Sequence, residues 1–157
     1  MIKNRYSKLA AQSNHTNTTQ AADGQLFTLD QRLGHDSFLL AQWQLCELRR
    51  FDDARYDWLM LVPRVANCVE FTELSESQQQ QLATEIRQAS LLLKQHGRGE
   101  KLNIGALGNV VSQLHVHLVL RSEQDPAWPG PVWGHSPAQR FDDASRAAEL
   151  KRWQALL

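Results

Sequence analysis

The residues best suited to chemistry lie in one run, Gln113-Leu114-His115-Val116-His117-Leu118-Val119-Leu120-Arg121. Its apolar residues alternate with others, as in a strand with one face in a core. Side chains alternate across a strand, so Leu114, Val116, Leu118 and Leu120 point into that core. Gln113, His115, His117, Val119 and Arg121 then share the opposite face. The two imidazoles stand about 7 Å apart at their backbone positions. An amide flanks them on one side and a guanidinium on the other. Neutral imidazole near pH 7 can attack phosphorus and depart again. A second imidazole two residues on can hold a phosphate oxygen or give a proton to a leaving group. Two other uses stay open on the residues alone. Both histidines could occupy a polar sheet face and do nothing. They could also share a metal ion, with a third ligand from among His35, His96, His135, Glu123 and Asp125, none at a telling spacing.

The turn before this strand fits an anion. Gly108 permits close backbone approach, Asn109 can hydrogen-bond an anion, and successive N–H groups through Val110 can cradle phosphate. By itself such a turn is also a common hairpin turn.

These residues need elements to hold them. Asp36 and Ser37 read as an N-cap. Leu39, Leu40, Trp43, Cys46 and Leu48 follow at helical spacing, with Arg49 and Arg50 in the last turn. The run from Tyr56 to Val62, closed by Pro63, is short and apolar on both faces, which predicts a buried strand. Ser75 and Gln78 have capping-box spacing before Leu82, Ile86, Ala89 and Leu93, and Lys94, His96 and Gly97 end that long helix. Lys101 to Ile104 predicts a strand, Gly105 to Asn109 a turn, and Val110 to Arg121 the motif strand. Asp125 to Gly134 holds three prolines and two tryptophans, so it reads as an extended, packed tail. Asp142 to Leu157 fits a last helix with Ala147, Leu150, Trp153 and Leu157 on one face. Segregated strands and helices with a short turn between the last two strands predict an α+β fold with an antiparallel sheet.

Whole-chain properties narrow the function classes. The 157 residues suit about one domain, here residues 25–157, with 122–157 as its C-terminal tail. Residues 1–24 are polar and predict a separate arm. Seventeen Lys and Arg balance 17 Asp and Glu, which weighs against a polybasic nucleic-acid binder but not against a pocket for one small anion. No apolar run approaches the ~18 residues of a membrane span, and the N-terminus lacks the apolar middle of a signal peptide. Cys46 and Cys68 are too few for a disulfide scaffold, so a cytoplasmic protein with reduced thiols is expected.

The stretch from Gly108 to Val119 resembles the signature of the histidine triad (HIT) family, His-φ-His-φ-His-φ-φ after a Gly-polar turn, where φ is apolar. The continuation Arg121 … Asp125-Pro126-Ala127-Trp128-Pro129 … Pro131-Val132-Trp133-Gly134 is similar to a bacterial HIT hydrolase-like subgroup. Upstream, Trp58-Leu59-Met60-Leu61-Val62-Pro63-Arg64 resembles the family's Pro-ending strand. The resemblance covers roughly residues 26 to 134. It implies a HIT-like α+β fold, a homodimer with the site near its interface, and nucleotide substrates attacked at the α-phosphate. It makes His115 the nucleophile of a covalent nucleotidyl-histidine intermediate. His117 would contact the phosphate and assist the leaving group. Gly108, Asn109 and Val110 would form the phosphate turn, and Asn103 is similar to an asparagine near the substrate. Asp52 or Asp53 would meet the ribose. No cofactor or metal is required, and neither a nucleic-acid polymer nor a membrane is an expected partner.

Two departures stand out against the family pattern. The first triad position is Gln113, which hydrogen-bonds but does not titrate. If its backbone carbonyl orients His115, that role survives any side chain. Asp57 and Trp58 stand where some relatives carry a further histidine before the Pro-ending strand.

Overall fold

The structure is a computed structural model and describes residues 18–20 and 26–157. The fold is α+β. Its centre is a five-stranded sheet in the order β3 (Ser37–Gln42), β4 (Cys46–Phe51), β5 (Asp57–Pro63), β7 (Val116–Arg121), β6 (Lys101–Gly105). Every neighbouring pair in that sheet is antiparallel. A two-stranded ladder pairs β1 (Thr18–Gln20) with β2 (Leu26–Thr28). The α-helices are α1 (Gln31–His35), α2 (Glu76–His96) and α3 (Asp143–Gln154). Apart from Thr18–Gln20, the proposed N-terminal arm lies outside the described residues.

Strand β5 is buried along its whole length because both faces of the sheet are covered. On one face, Leu59, Leu61, Leu118 and Leu120 pack with Leu82, Ala89 and Leu93 of α2 and Trp153 of α3. On the other face, Met60 and Val62 meet Phe27, Leu29, Leu33 and Val111. Further along that face, Trp58 and Val119 meet Tyr56, Ala127 and Val132. The tail after β7 thus docks on its own domain. Helix α2 has the expected capping box between Ser75 and Gln78, and its last turn closes through Gly97 N–H to the Leu93 carbonyl.

The predicted helix after Asp36 is instead the β3–β4 hairpin. The apolar spacing there is compatible with both periods, and Leu, Gln, Ala, Glu and Arg are good helix formers. Long-range pairing overrides that preference. β4 lies between β3 and β5 in a continuous ladder, and Phe38, Leu40, Cys46 and Leu48 face the core. Asp36 ends α1 rather than starting a helix, and a register shift between Leu39 and Ala41 bends the hairpin. Arg49 and Arg50 do not cap a helix but are buried in ion pairs with Glu47 and Glu149.

The motif strand is also shorter than 110–121. Pairing begins at Val116, and the connection from β6 runs over 106–115. Earlier residues bond elsewhere: Leu114 N–H to the Cys68 carbonyl, and the Gln113 amide to Thr28 and Asp30. In α3, Trp153 is buried and Leu150 and Leu156 pack beside it, whereas Ala147 and Leu157 are exposed. The helix ends at Gln154, and turn bonds from Leu156 to Trp153 carry Leu156 inward where Leu157 was expected.

Candidate active site

The alternation of the motif survives its shorter strand. Leu114, Val116, Leu118 and Leu120 enter the main core, and His115, His117, Val119 and Arg121 take the other side. That side is not an open polar face: His115 is 6% exposed and His117 is 5% exposed. The two rings lie 4.8 Å apart between centroids and nearly perpendicular, at 87°.

Each ring has one nitrogen fixed by a different kind of partner. Nδ1 of His115 lies 2.7 Å from the carbonyl oxygen of Gln113. A carbonyl only accepts, so His115 Nδ1 carries the proton and Nε2 keeps its lone pair. Nδ1 of His117 receives the indole N–H of Trp58 at 3.0 Å. An indole N–H only donates, so His117 Nδ1 is bare and Nε2 carries the proton. The sequence places identical side chains two residues apart, and their partners make one a base and the other a donor. Burial lowers the His115 pKa from its ordinary value, opposed by the Gln113 carbonyl and the Asp30 charge. Burial, then the neighbouring His115, pushes His117 down to about 3.

Aromatic rings enclose His117. Phe51 meets it edge-on at 5.9 Å and Trp58 edge-on at 5.3 Å, and Trp133 lies tilted against it at 5.9 Å. Phe51 also stacks on Trp58 at 4.1 Å. Trp133 reaches this position because Gly105 pairs opposite His117 and has no side chain. A Cβ at Gly105 would lie 3.2 Å from the Trp133 ring.

The other candidate residues divide. Gly108 has a left-handed φ of +69° with open space where a Cβ would sit, so its glycine serves the backbone turn. Asn109 and Val110 beside it are exposed, and the Val110 carbonyl accepts from Arg32. Asn103 lies on β6 with its Oδ1 bound to Arg121. Arg121 is buried and bidentate to Asp125, so its guanidinium is committed to the start of the tail. Gln113 accepts from Asp30 N–H and donates to the Thr28 carbonyl, so its amide ties the motif to the β2–α1 segment. Asp52 binds Arg140 and the Phe141 N–H, and Asp53 binds Arg55. Both carboxylates therefore anchor the C-terminal segment and the β4–β5 loop rather than standing free for a ribose. Among the described residues no three His, Cys, Asp or Glu side chains cluster as a metal site requires. Asp125 is taken by Arg121, and His35 faces Arg140. Trp58 is the residue in contact with the candidate site that spacing alone did not single out. Its only sequence signal is its place where some relatives carry histidine.

Comparison with known proteins agrees with this architecture. The family model described as HIT domain matches residues 32–124. A histidine triad protein from Sinorhizobium meliloti 1021 is 42% identical, over 83% of this chain and 97% of that chain, with a TM-score of 0.79. One from Marinobacter aquaeolei VT8 is 40% identical, over 83% and 96%, with a TM-score of 0.80. One from Bradyrhizobium japonicum is 40% identical, over 82% and 96%, with a TM-score of 0.78. No curated protein matches. With most of the domain matched by the family and near-complete relatives sharing its sheet, the chain belongs to the histidine triad (HIT) family, whose members generally act on nucleotides.

Proposed function

We propose that the chain is a nucleotide hydrolase or nucleotidyl transferase that works at the α-phosphate through a covalent nucleotidyl-His115 intermediate. Its substrate is a dinucleoside polyphosphate, a nucleoside phosphoramidate or a related conjugate. The observation that carries this reading is the pair of opposite Nδ1 partners, a carbonyl on His115 and an indole N–H on His117, which leaves a bare Nε2 on His115 beside an Nε2–H on His117. His115 Nε2 attacks phosphorus, and the N–P bond forms as the bond to the leaving group breaks. The imidazolium so formed keeps its Nδ1–H on the Gln113 carbonyl. His117 Nε2–H holds a phosphoryl oxygen, and N–H groups of the Gly108–Val110 turn with the Asn109 side chain stabilise the developing charge. Water then displaces His115 Nε2, releases the nucleoside monophosphate and gives up a proton to solvent. The covalent step needs no cofactor.

Intact-protein mass spectrometry with adenylyl and guanylyl conjugates tests this. Wild type is expected to gain one nucleoside monophosphate, and His115→Ala to gain none while losing turnover on the order of a thousandfold or more. A wild type without an adduct or turnover but with nucleotide binding would support a second reading, a nucleotide-binding module with little catalysis. That reading is favoured by the Gln113 amide, which is spent on Thr28 and Asp30. We further propose a cytoplasmic homodimer. Cys46 and Cys68 are both free thiols, in keeping with that compartment. Native mass measurement tests the dimer, and a monomer would count against it.

A further inference from the structure

Resting on the proposed reaction at His115, we infer that this site is built for leaving groups that depart as stable anions, which selects nucleotide phosphoanhydrides over phosphoramidates, and that Trp58 is the positioning residue that sets this choice. A phosphoramidate nitrogen leaves well only with a proton from a general acid. A phosphoanhydride leaves as a phosphate anion and needs none. The question is whether any group near His115 can hold and give that proton.

His117 is the nearest candidate, and its geometry denies it the role. A doubly protonated His117 would turn an Nδ1–H against the Trp58 Nε1–H, donor against donor, in place of the present 3.0 Å bond. Phe51, Trp58 and Trp133 pack around the ring. The charged form would therefore gain no compensating carboxylate from β4, β5 or the tail. Among the described residues, the charge that bears on it is that of His115, which becomes cationic in the covalent intermediate and repels a second charge. Neutral His117 can still donate a hydrogen bond to a phosphoryl oxygen, but it has no surplus proton to transfer. The first triad position does not help, because the Gln113 amide does not titrate and is turned toward Thr28 and Asp30. Asp30, whose charge reaches His115, is bound by Arg32 and held below the usual carboxylate range, so it arrives ionised. Tyr56 has a buried hydroxyl without a partner, but it lies edge-on against Trp58, one ring removed from His117.

With an anhydride the step balances without an acid. His115 Nε2 supplies the electron pair for the new N–P bond, and the bridging oxygen keeps the pair of the broken P–O bond. With an amidate the same step would expel an amide anion.

The test is kcat/KM for wild type over a matched series sharing one nucleoside monophosphate. The series comprises an adenosine polyphosphate anhydride, 4-nitrophenyl and phenyl esters, and the unsubstituted and alkyl phosphoramidates. kcat/KM reports the attack step even where breakdown of the adduct limits turnover. We expect a steep fall with decreasing leaving-group acidity and amidates at least 100-fold below the anhydride. Trp58→Phe should narrow the anhydride-to-amidate gap at least tenfold, with amidate turnover rising as pH falls below 7. In wild type, 15N NMR of the imidazoles should show His117 with a bare Nδ1 and no protonation down to pH 5. Amidate cleavage as fast as anhydride cleavage, or a flat leaving-group series, would overturn the inference while leaving the covalent mechanism intact. His117 titrating near pH 6.5 in wild type would overturn it also, even if the Trp58 variant does not fold. No adduct and no turnover with any member of the series would overturn both readings together.

Discussion

At the scale of the residue, the fold differentiates two identical side chains. The partner of His115 is a backbone carbonyl, so the identity of residue 113 and the orientation of His115 are separable. Gln113→Ala should keep adduct formation within about tenfold of wild type. It should also cost about 1–2 kcal/mol of stability, because the Asp30 N–H loses its acceptor. Urea unfolding and single-turnover rates check both parts, and a folded variant with no adduct would show that the side chain is itself required. The pH dependence follows from the same ring. The His115 pKa lies below its ordinary value, so the proposed nucleophile is neutral at pH 7. kcat/KM should be flat near neutrality and fall only at pH values below 6.5, where protonation removes the Nε2 lone pair.

At the scale of the element, two buried polar clamps hold the frame around the histidines. Glu85 on α2 is 1% exposed and accepts from the N–H groups of Leu45 and Cys46 at the hairpin turn. Those two N–H groups fall where the hairpin reverses, so the helix completes the turn's hydrogen bonding. Glu85→Leu should destabilise the protein by about 2–4 kcal/mol, since two buried donors are left without acceptors. Behind β5, Arg50 is fully buried and reaches Glu149 of α3 and the carbonyls of Phe51, Trp58 and Tyr56. Asp57 lies beside it, with Arg98 and Arg152 on its other sides. Arg50→Ala should cost about 3–5 kcal/mol, as expected when one partner of a buried pair is removed. Chemical denaturation with circular dichroism measures both losses. An effect below about 1 kcal/mol would show that α3 is not held by this network.

At the scale of the whole molecule, the buried histidines make stability depend on pH. Both have folded pKa values below their ordinary, unfolded ones, and that of His117 is about 3. Between about pH 6.5 and 3 the unfolded chain binds more protons than the folded one. Their contribution is thus fully present above about pH 6.5 and is lost as pH falls. For His117 the loss is about 1.4 kcal/mol per pH unit. The lowered carboxyls of Asp57 and Asp125 begin to titrate in the unfolded chain only near their ordinary value of 3.8, so they act at the acid end of this window. Urea midpoints should hold between pH 7.5 and about 6.5 and then fall toward pH 4.5, and His117→Asn should flatten that slope by up to one proton. An unchanged slope in that variant would mean that His117 titrates alike in both states. None of the helices among the described residues is long and apolar enough to cross a membrane.

The sequence alone determined the parts governed by local pattern. Strict alternation around His115 and His117 put them on one side and Leu114 to Leu120 on the other. The apolar run ending at Pro63 marked the buried central strand. Ser75, Gln78 and Gly97 marked the ends of α2. Tertiary structure decided the rest, because those features depend on partners far along the chain. The hairpin over 37–51 is made of helix-forming residues, and only pairing with β5 makes them strands. The motif strand starts at Val116 because Gln113 and Leu114 are bound by residues more than 40 positions away. Asp52 and Asp53 looked available for substrate until Arg140 and Arg55 folded onto them. Above all, the two histidines are chemically alike in sequence. Only the fold, by bringing a carbonyl to one ring and the indole of Trp58 to the other, decides which Nε2 keeps its lone pair and which carries a proton.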